Sequence, residues 1–186
     1  MTAKINTSGK SRLSFKAQTV WTVCSLILAV AIPQILHIIG AVSGLGSSLG
    51  EVLLPMHLPI IFAGFAAGSA VGAVSGFFAP LISFALTGMP KSALLPFMMI
   101  ELCAYGLSAG FLRNVKMPAV IKVLSVQVIG RAVRAAAILL AVYAFSFDGI
   151  HTAIIWKSIV TGLLGLCLQW IIIPLALYRT ESLRKE

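Results

Sequence analysis

Residues 53–110 read LLPMHLPIIFAGFAAGSAVGAVSGFFAPLISFALTGMPKSALLPFMMIELCAYGLSAG. Three apolar segments are punctuated here by Pro55, Pro59, Pro80, Pro90 and Pro96, with glycines at 64, 68, 72 and 76. One acid, Glu101, stands among Met98, Met99, Ile100, Leu102 and Cys103. A glycine at every fourth position lays a bare backbone stripe along one helical face. Helices approach closely along such a stripe in lipid, where shape packing must replace the hydrophobic effect. A carboxyl group at membrane depth costs free energy, which makes Glu101 a candidate functional group. The stretch describes a multi-span membrane protein with something polar to hold.

The whole chain agrees with its central stretch. Of 186 residues, 59% are hydrophobic and 10% charged, with a mean hydropathy of +1.03; soluble domains carry about 25% charged residues. One span needs about 20 apolar residues. The sequence supplies six: residues 20–39, two short spans from 53–86, then 94–112, 121–145 and 153–178. Gly68-Ser69 is the predicted reversal inside 53–86, because two small residues tolerate a tight turn. Trp21 suits a membrane interface. Pro33, Pro80 and Pro174 fall inside spans and predict kinks or displaced ends. The apolar runs are continuous and do not alternate, which argues against a β-barrel. The expected architecture is an all-α membrane protein, a six-transmembrane-helix bundle with N and C termini cytoplasmic. It divides into a basic tail (1–18), one membrane domain (19–178) and a second tail (179–186).

Charge sets that orientation. Lys4, Lys10, Arg12 and Lys16 precede the first span, and Arg113, Lys116 and Lys122 follow the fourth; both groups belong inside. Arg179, Arg184 and Lys185, with Glu181 and Glu186, fall on the same side after an even number of spans. Connections 40–52, 87–93 and 146–156 carry only Glu51, Lys91 and Asp148 and face out. The net charge of +9 reads as this topology signal plus attraction to anionic membrane lipid, with no nucleic-acid partner implied.

Several signals carry no chemistry. Residues 1–31 imitate a signal peptide, ending in Ala29-Val30-Ala31, but the apolar run continues to Ile39 and reads as an uncleaved anchor. Gly9-Lys10-Ser11 imitates the end of a phosphate loop, whose earlier glycine would fall at Lys4. Cys24, Cys103 and Cys167 stand one per span, which indicates neither disulfides nor a zinc site. An intramembrane enzyme built on Glu101, His57 and Arg131 would need paired histidines or an aspartate cluster; the sole aspartate is Asp148. No enzyme, metal or cofactor is expected.

A sparse polar set remains in or beside the spans: Gln34, His37, His57, Glu101, Tyr105, Gln127, Arg131, Arg134 and Gln169. Tyr105 shares a helical face with Glu101, and Arg134 with Arg131. Counted from the inner span ends, Arg131 and Glu101 sit at matching depth, which predicts an ion pair. That pair either ties two helices or faces a cavity that holds a polar ligand. His57, between Pro55 and Pro59, either lines the same cavity or caps its helix at the interface.

The order Leu54-Pro55-Met56-His57-Leu58-Pro59, Ala63-Gly64, Gly68, Gly72, Gly76, Pro80, Thr87-Gly88-Met89-Pro90, Glu101-Leu102, Tyr105-Gly106 and Gly110 resembles the S components of energy-coupling factor (ECF) vitamin transporters. It is most similar to the branch that includes pantothenate, pyridoxine and cobalamin S components. The likeness runs over residues 20–140 and takes in Gly130-Arg131. It implies a bacterial plasma-membrane subunit that binds a small vitamin at the outer face, then topples while docked on its partner. That partner is a transmembrane coupling protein carrying two ATPase subunits. Small residues on the first span form the family's docking surface; here the matching pair is Ser25 and Ala29, with serine in place of a usual alanine. The resemblance places residues 54–59, 87–90 and Glu101 near the ligand, so His57, Met89, Glu101, Tyr105 and Arg131 are the candidate substrate-binding residues. His57 and Tyr105 would donate hydrogen bonds, and Met89 would close the outer mouth as a flexible apolar surface. A pantothenate-like anion would set its acid on Arg131 and its dimethyl group on apolar walls. A neutral ligand such as pyridoxine would leave Arg131 paired with Glu101. The competing class is a small oligomeric channel or stand-alone carrier, in which the glycine stripe is a subunit interface.

Overall fold

Apolar runs without internal backbone partners must satisfy their own hydrogen bonds in lipid, and helices do so. The computed structural model describes residues 13–183 other than Leu45, Ser47 and Asp148, and only the backbone of Ser48, Glu181, Ser182 and Leu183. Lys4, Lys10, Arg12, Asp148, Arg184, Lys185 and Glu186, and the Gly9-Lys10-Ser11 triplet, lie outside the described residues. The chain is all-helical in this range: α1 (Phe15–Val42), α2 (Ser48–Leu53), α3 (His57–Ala67), α4 (Ser69–Thr87), α5 (Leu95–Leu112), α6 (Ala119–Phe145), α7 (Ala153–Thr161) and α8 (Leu163–Leu183). Six segments are long and apolar enough to cross a membrane, with α2 and α3 making one of them together, Leu49–Ala67.

The predicted reversal is at Gly68. Its φ of 112° and ψ of 173° belong to a region that L side chains avoid, and its N–H closes α3 on the Gly64 carbonyl at 2.9 Å. On α3, His57 lies beside Glu101 and Gly64 beside Ala109, so α3 runs parallel to α5. On α4, Ser69 lies beside Gly110 and Gly76 beside Leu102, so α4 runs antiparallel to it. The two are therefore a helical hairpin whose turn sits at the end of the bundle that carries Arg113.

The glycine stripe is used within this hairpin. Gly72 and Gly106 meet backbone to backbone, so a Cβ on either would fall on the other's main chain. A Cβ on Gly76 would fall on the Leu102 carbonyl. The stripe is thus filled by α5 and offers no free face to a second subunit.

Pro33, Pro80 and Pro174 lie inside α1, α4 and α8, as the sequence predicts. α1 extends beyond residues 20–39 at both ends, with Ser14 Oγ accepting the Ala17 N–H at 3.3 Å as its N-cap. Leu13 and Trp21 pack near Ala63, Ala67 and Val71, which sets the start of α1 beside the Gly68 turn. α8 runs antiparallel to α6: Arg131 meets Ser158, and Gln127 meets Leu166 and Gln169. Both described chain ends and the basic 113–118 connection therefore share one end of the bundle.

Two spans differ from expectation. The second begins at Ser48, not residue 53, and is interrupted at residues 54–56, where Leu54 takes a φ of 48°. Pro55 has no N–H to continue α2, and Pro59 sits in the first turn of α3, where its missing N–H is not needed. The sixth begins at Leu163 rather than residue 153 and is α8 alone; α7 is a separate short helix that ends at Gly162, a weak helix former. The buried core joins Ala29, Ile60, Ile61, Phe65, Leu102 and Tyr105 from α1, α3 and α5. The outer wall shows Ile27, Ile38, Leu140, Ile171 and Leu175, apolar side chains suited to lipid.

Candidate functional site

Glu101 projects from the second turn of α5 into the bundle and is fully buried. At 1.5 Å per residue it lies about 17 Å from the basic end of α5, and Arg131 lies about 18 Å from the start of α6. The depths match, and the predicted pair forms: Arg131 Nη1 stands 3.2 Å from Glu101 Oε1. Arg134, one turn on, makes the shorter contact and donates from Nη1 to Glu101 Oε2 at 2.8 Å. Tyr105 O–H donates to Oε1 at 3.1 Å. His57 Nε2 approaches that same oxygen at 3.9 Å, outside hydrogen-bond range. Its ring also meets the Tyr105 ring, with centroids 5.2 Å apart. Gly130 explains how α6 comes so near: a Cβ there would overlap the Tyr105 ring.

Two guanidinium groups face one carboxylate, so the cluster carries one excess positive charge, with both arginine side chains only 11% exposed. Its donors also outnumber its acceptors. Arg131 Nε and Nη2, Arg134 Nε and both His57 ring nitrogens are buried without a hydrogen-bond partner among the described residues. Arg131 Nη1 has a long contact of 3.4 Å to Ser158 Oγ on α7. A narrow cleft beside the arginines, lined by Ala135, Ile138, Ile155, Ser158 and Ile159, has room for about one water molecule.

The interrupted second span and the α7–α8 joint both reach this cluster. Leu54, at the break in span two, packs on Gly162, between α7 and α8, and the Arg131 Nη2 edge lies against that same glycine. α2, α7 and α8 meet there beside the continuous helix α6. A second buried group ties α6 to α8 nearby: Trp170 Nε1 donates to Gln127 Oε1 at 2.6 Å, and Gln127 Nε2 to Gln169 Oε1 at 3.0 Å.

Of the residues singled out in the sequence, His57, Glu101, Tyr105 and Arg131 come together. Met89 does not join them; it is half-buried in the α4–α5 connection, its N–H on Thr87 Oγ1 at 3.3 Å. Ser25 and Ala29 do not lie on the outer face of α1. Both are buried on the inner face of α1, and Ser25 Oγ donates to the Pro59 carbonyl at 3.4 Å. α1 shows the outside Val20, Val23, Ile27 and Ile38 instead, so in this conformation the small pair is covered by the chain's own helices. Arg134 is the site residue that sequence reasoning passed over. Its signal was present in the three-residue spacing to Arg131, which turns both toward one carboxylate.

No protein-family model, curated protein or solved structure matches this chain.

Proposed function

We propose that this chain is the substrate-binding membrane subunit of an ECF-type vitamin uptake transporter. The observation that carries the reading is the meeting of the interrupted second span and the α7–α8 joint at a buried, charge-unbalanced cluster. Discontinuous helices meeting within the membrane are how transport proteins build polar sites, because the freed backbone and side chains must be covered by protein or by substrate. Intramembrane charges of this kind mark a substrate path. The ordered motifs from Leu54 to Gly110 supply the family.

In this reading the basic end of the bundle faces the cytoplasm, following the positive-inside rule. The vitamin enters from the opposite end, where Glu101 lies about 9 Å below the start of α5. Glu101 holds the two arginines and Tyr105 in place, and His57 adds a polar ring from the break in span two. Energy comes from a coupling protein with two ATPase subunits. The glycine face that a ring-forming channel would use is filled by α5, which removes the main support for an oligomeric pore.

The test is mass spectrometry of small molecules released from the protein after purification in mild detergent from cells grown in rich medium. One vitamin recovered near one per chain supports the reading and names the substrate. No released ligand, together with no binding across a panel of B vitamins, would overturn it.

A further inference from the structure

The cluster is not symmetric, and the asymmetry tells what it receives. Arg134 has a short charge-assisted hydrogen bond to Glu101 at 2.8 Å, and Tyr105 holds the other carboxylate oxygen at 3.1 Å. Glu101 is thereby occupied by its own helix and by Arg134. Arg131 is the under-bonded member. Its Nη1 faces Glu101 at 3.2 Å and Ser158 at 3.4 Å, while Nε and Nη2 are both buried with no acceptor among the described residues.

Those two atoms are not an arbitrary pair. The guanidinium is planar, and the N–H of Nε and the outer N–H of Nη2 point the same way from one edge. That edge is the fork that takes a carboxylate through two parallel hydrogen bonds. It is turned away from Glu101, which meets Nη1, so an incoming anion and the Glu101 carboxylate occupy different sides of the same group. Gly162 lies against this edge, where a Cβ would stand 3.2 Å from Nη2, so the edge is covered only by a residue without a side chain.

Resting on the reading above, we infer that the site takes a monoanionic carboxylate ligand, bound bidentately by the free Nε/Nη2 edge of Arg131. One negative charge added to two arginines and one glutamate brings the cluster to neutrality, which removes the cost of an uncompensated buried charge. His57, with neither ring nitrogen hydrogen-bonded among the described residues and its side chain 97% buried, is the polar group left for the remainder of the ligand. The present cleft holds about one water molecule, so the ligand's volume is made by displacing α7. None of the residues of α7 is buried, and Gly162 separates it from α8.

The experiment compares acids with their uncharged counterparts by titration calorimetry on the full chain in mild detergent. The probes are pantothenate with pantothenol, biotin with biotinamide, and nicotinate with nicotinamide, alongside the neutral vitamins pyridoxine and riboflavin. Hydrogen bonds to charged groups set the scale. One acid binds at one per chain, and its neutral counterpart binds about 10- to 100-fold more weakly. Arg131→Lys keeps the charge and loses the fork; it brings the acid's affinity down toward that of the neutral counterpart, which itself changes little. Arg131→Gln does the same where it folds, and the wild-type comparison needs no variant at all. A neutral member bound as tightly as its acid, a neutral vitamin bound while every acid is refused, or discrimination that survives Arg131→Lys overturns this inference and leaves the transport reading standing. If no vitamin of any kind binds, both fall together.

Discussion

Replacing Glu101 by glutamine keeps the shape of the side chain and removes its charge, and the consequence is calculable from the contacts. Glu101 is fully buried and accepts from Arg134 at 2.8 Å and Tyr105 at 3.1 Å, with Arg131 at 3.2 Å. After the change two guanidinium groups face each other with no counter-charge, and the new amide N–H₂ points a donor at donors. Removing one partner of a buried pair costs about 3–5 kcal/mol, mostly from the charge left behind. Arg134→Gln, in contrast, leaves Arg131 and Glu101 at one charge each and loses a charged hydrogen bond, about 1.5–3 kcal/mol. In the Glu101→Gln background the same Arg134→Gln removes a repelling charge, so it is neutral or stabilising. The double-mutant cycle therefore shows a coupling of about 2 kcal/mol or more between the two positions. Unfolding in mixed micelles with increasing SDS, followed by far-ultraviolet circular dichroism, measures all four proteins. If Glu101→Gln unfolds at the wild-type SDS fraction, or if the two changes are additive, the carboxylate is not the counter-charge that organises this cluster.

Three further outcomes follow from the packing. Gly106→Ala drives a Cβ into the Gly72 backbone, which a helix pair cannot relieve by moving a side chain; overpacking costs of about 1–3 kcal/mol or more are expected in the same SDS assay. Gly68→Ala places a side chain at φ 112°, costing about 1–3 kcal/mol of backbone strain, with the loss read as a lower SDS midpoint. Ala29→Trp enlarges a fully buried residue of the core and lowers both stability and ligand binding. A tryptophan there that stopped uptake while binding stayed at wild-type strength would instead put the docking surface at Ser25 and Ala29, as the family resemblance implied.

What was legible depended on whether a feature is set by local backbone chemistry or by choice of neighbour. The Gly68-Ser69 reversal was readable because one residue's conformational freedom decides it. The Glu101–Arg131 pair was readable because depth along a helix is a matter of counting, and a buried charge in lipid must find an opposite one. Arg134 was harder: either arginine of a pair spaced by three can take the closer contact, and the choice depends on helix rotation. Ser25 and Ala29 show the same ambiguity from the other side. Small residues permit close approach, but the sequence does not say whether the approaching helix belongs to this chain or another; here α3 takes the place, through the Pro59 carbonyl. Met89 was placed by its motif alone, and no side-chain chemistry drew it toward the cluster.

The break in span two and the α7–α8 joint escaped a hydropathy reading for a physical reason that also links them. Averaged over 20 residues, a break of one to three apolar or small residues leaves no mark, since Leu54, Met56 and Gly162 are as lipid-compatible as their neighbours. An interruption in lipid nevertheless frees backbone carbonyls that must be covered. The carbonyls of Val52 and Leu53, in the last turn of α2, are covered by α8 at Gly165, where a Cβ would fall on them. Three residues earlier, Gly162 joins α7 to α8 just before the sixth span and lies against the edge of Arg131. The start of α8 thus seals the break in span two with Gly165 and meets α7 through Gly162. The break and the joint cannot be moved independently: displacing α7 at Gly162 acts directly on Leu54, on Arg131 and, through it, on Glu101.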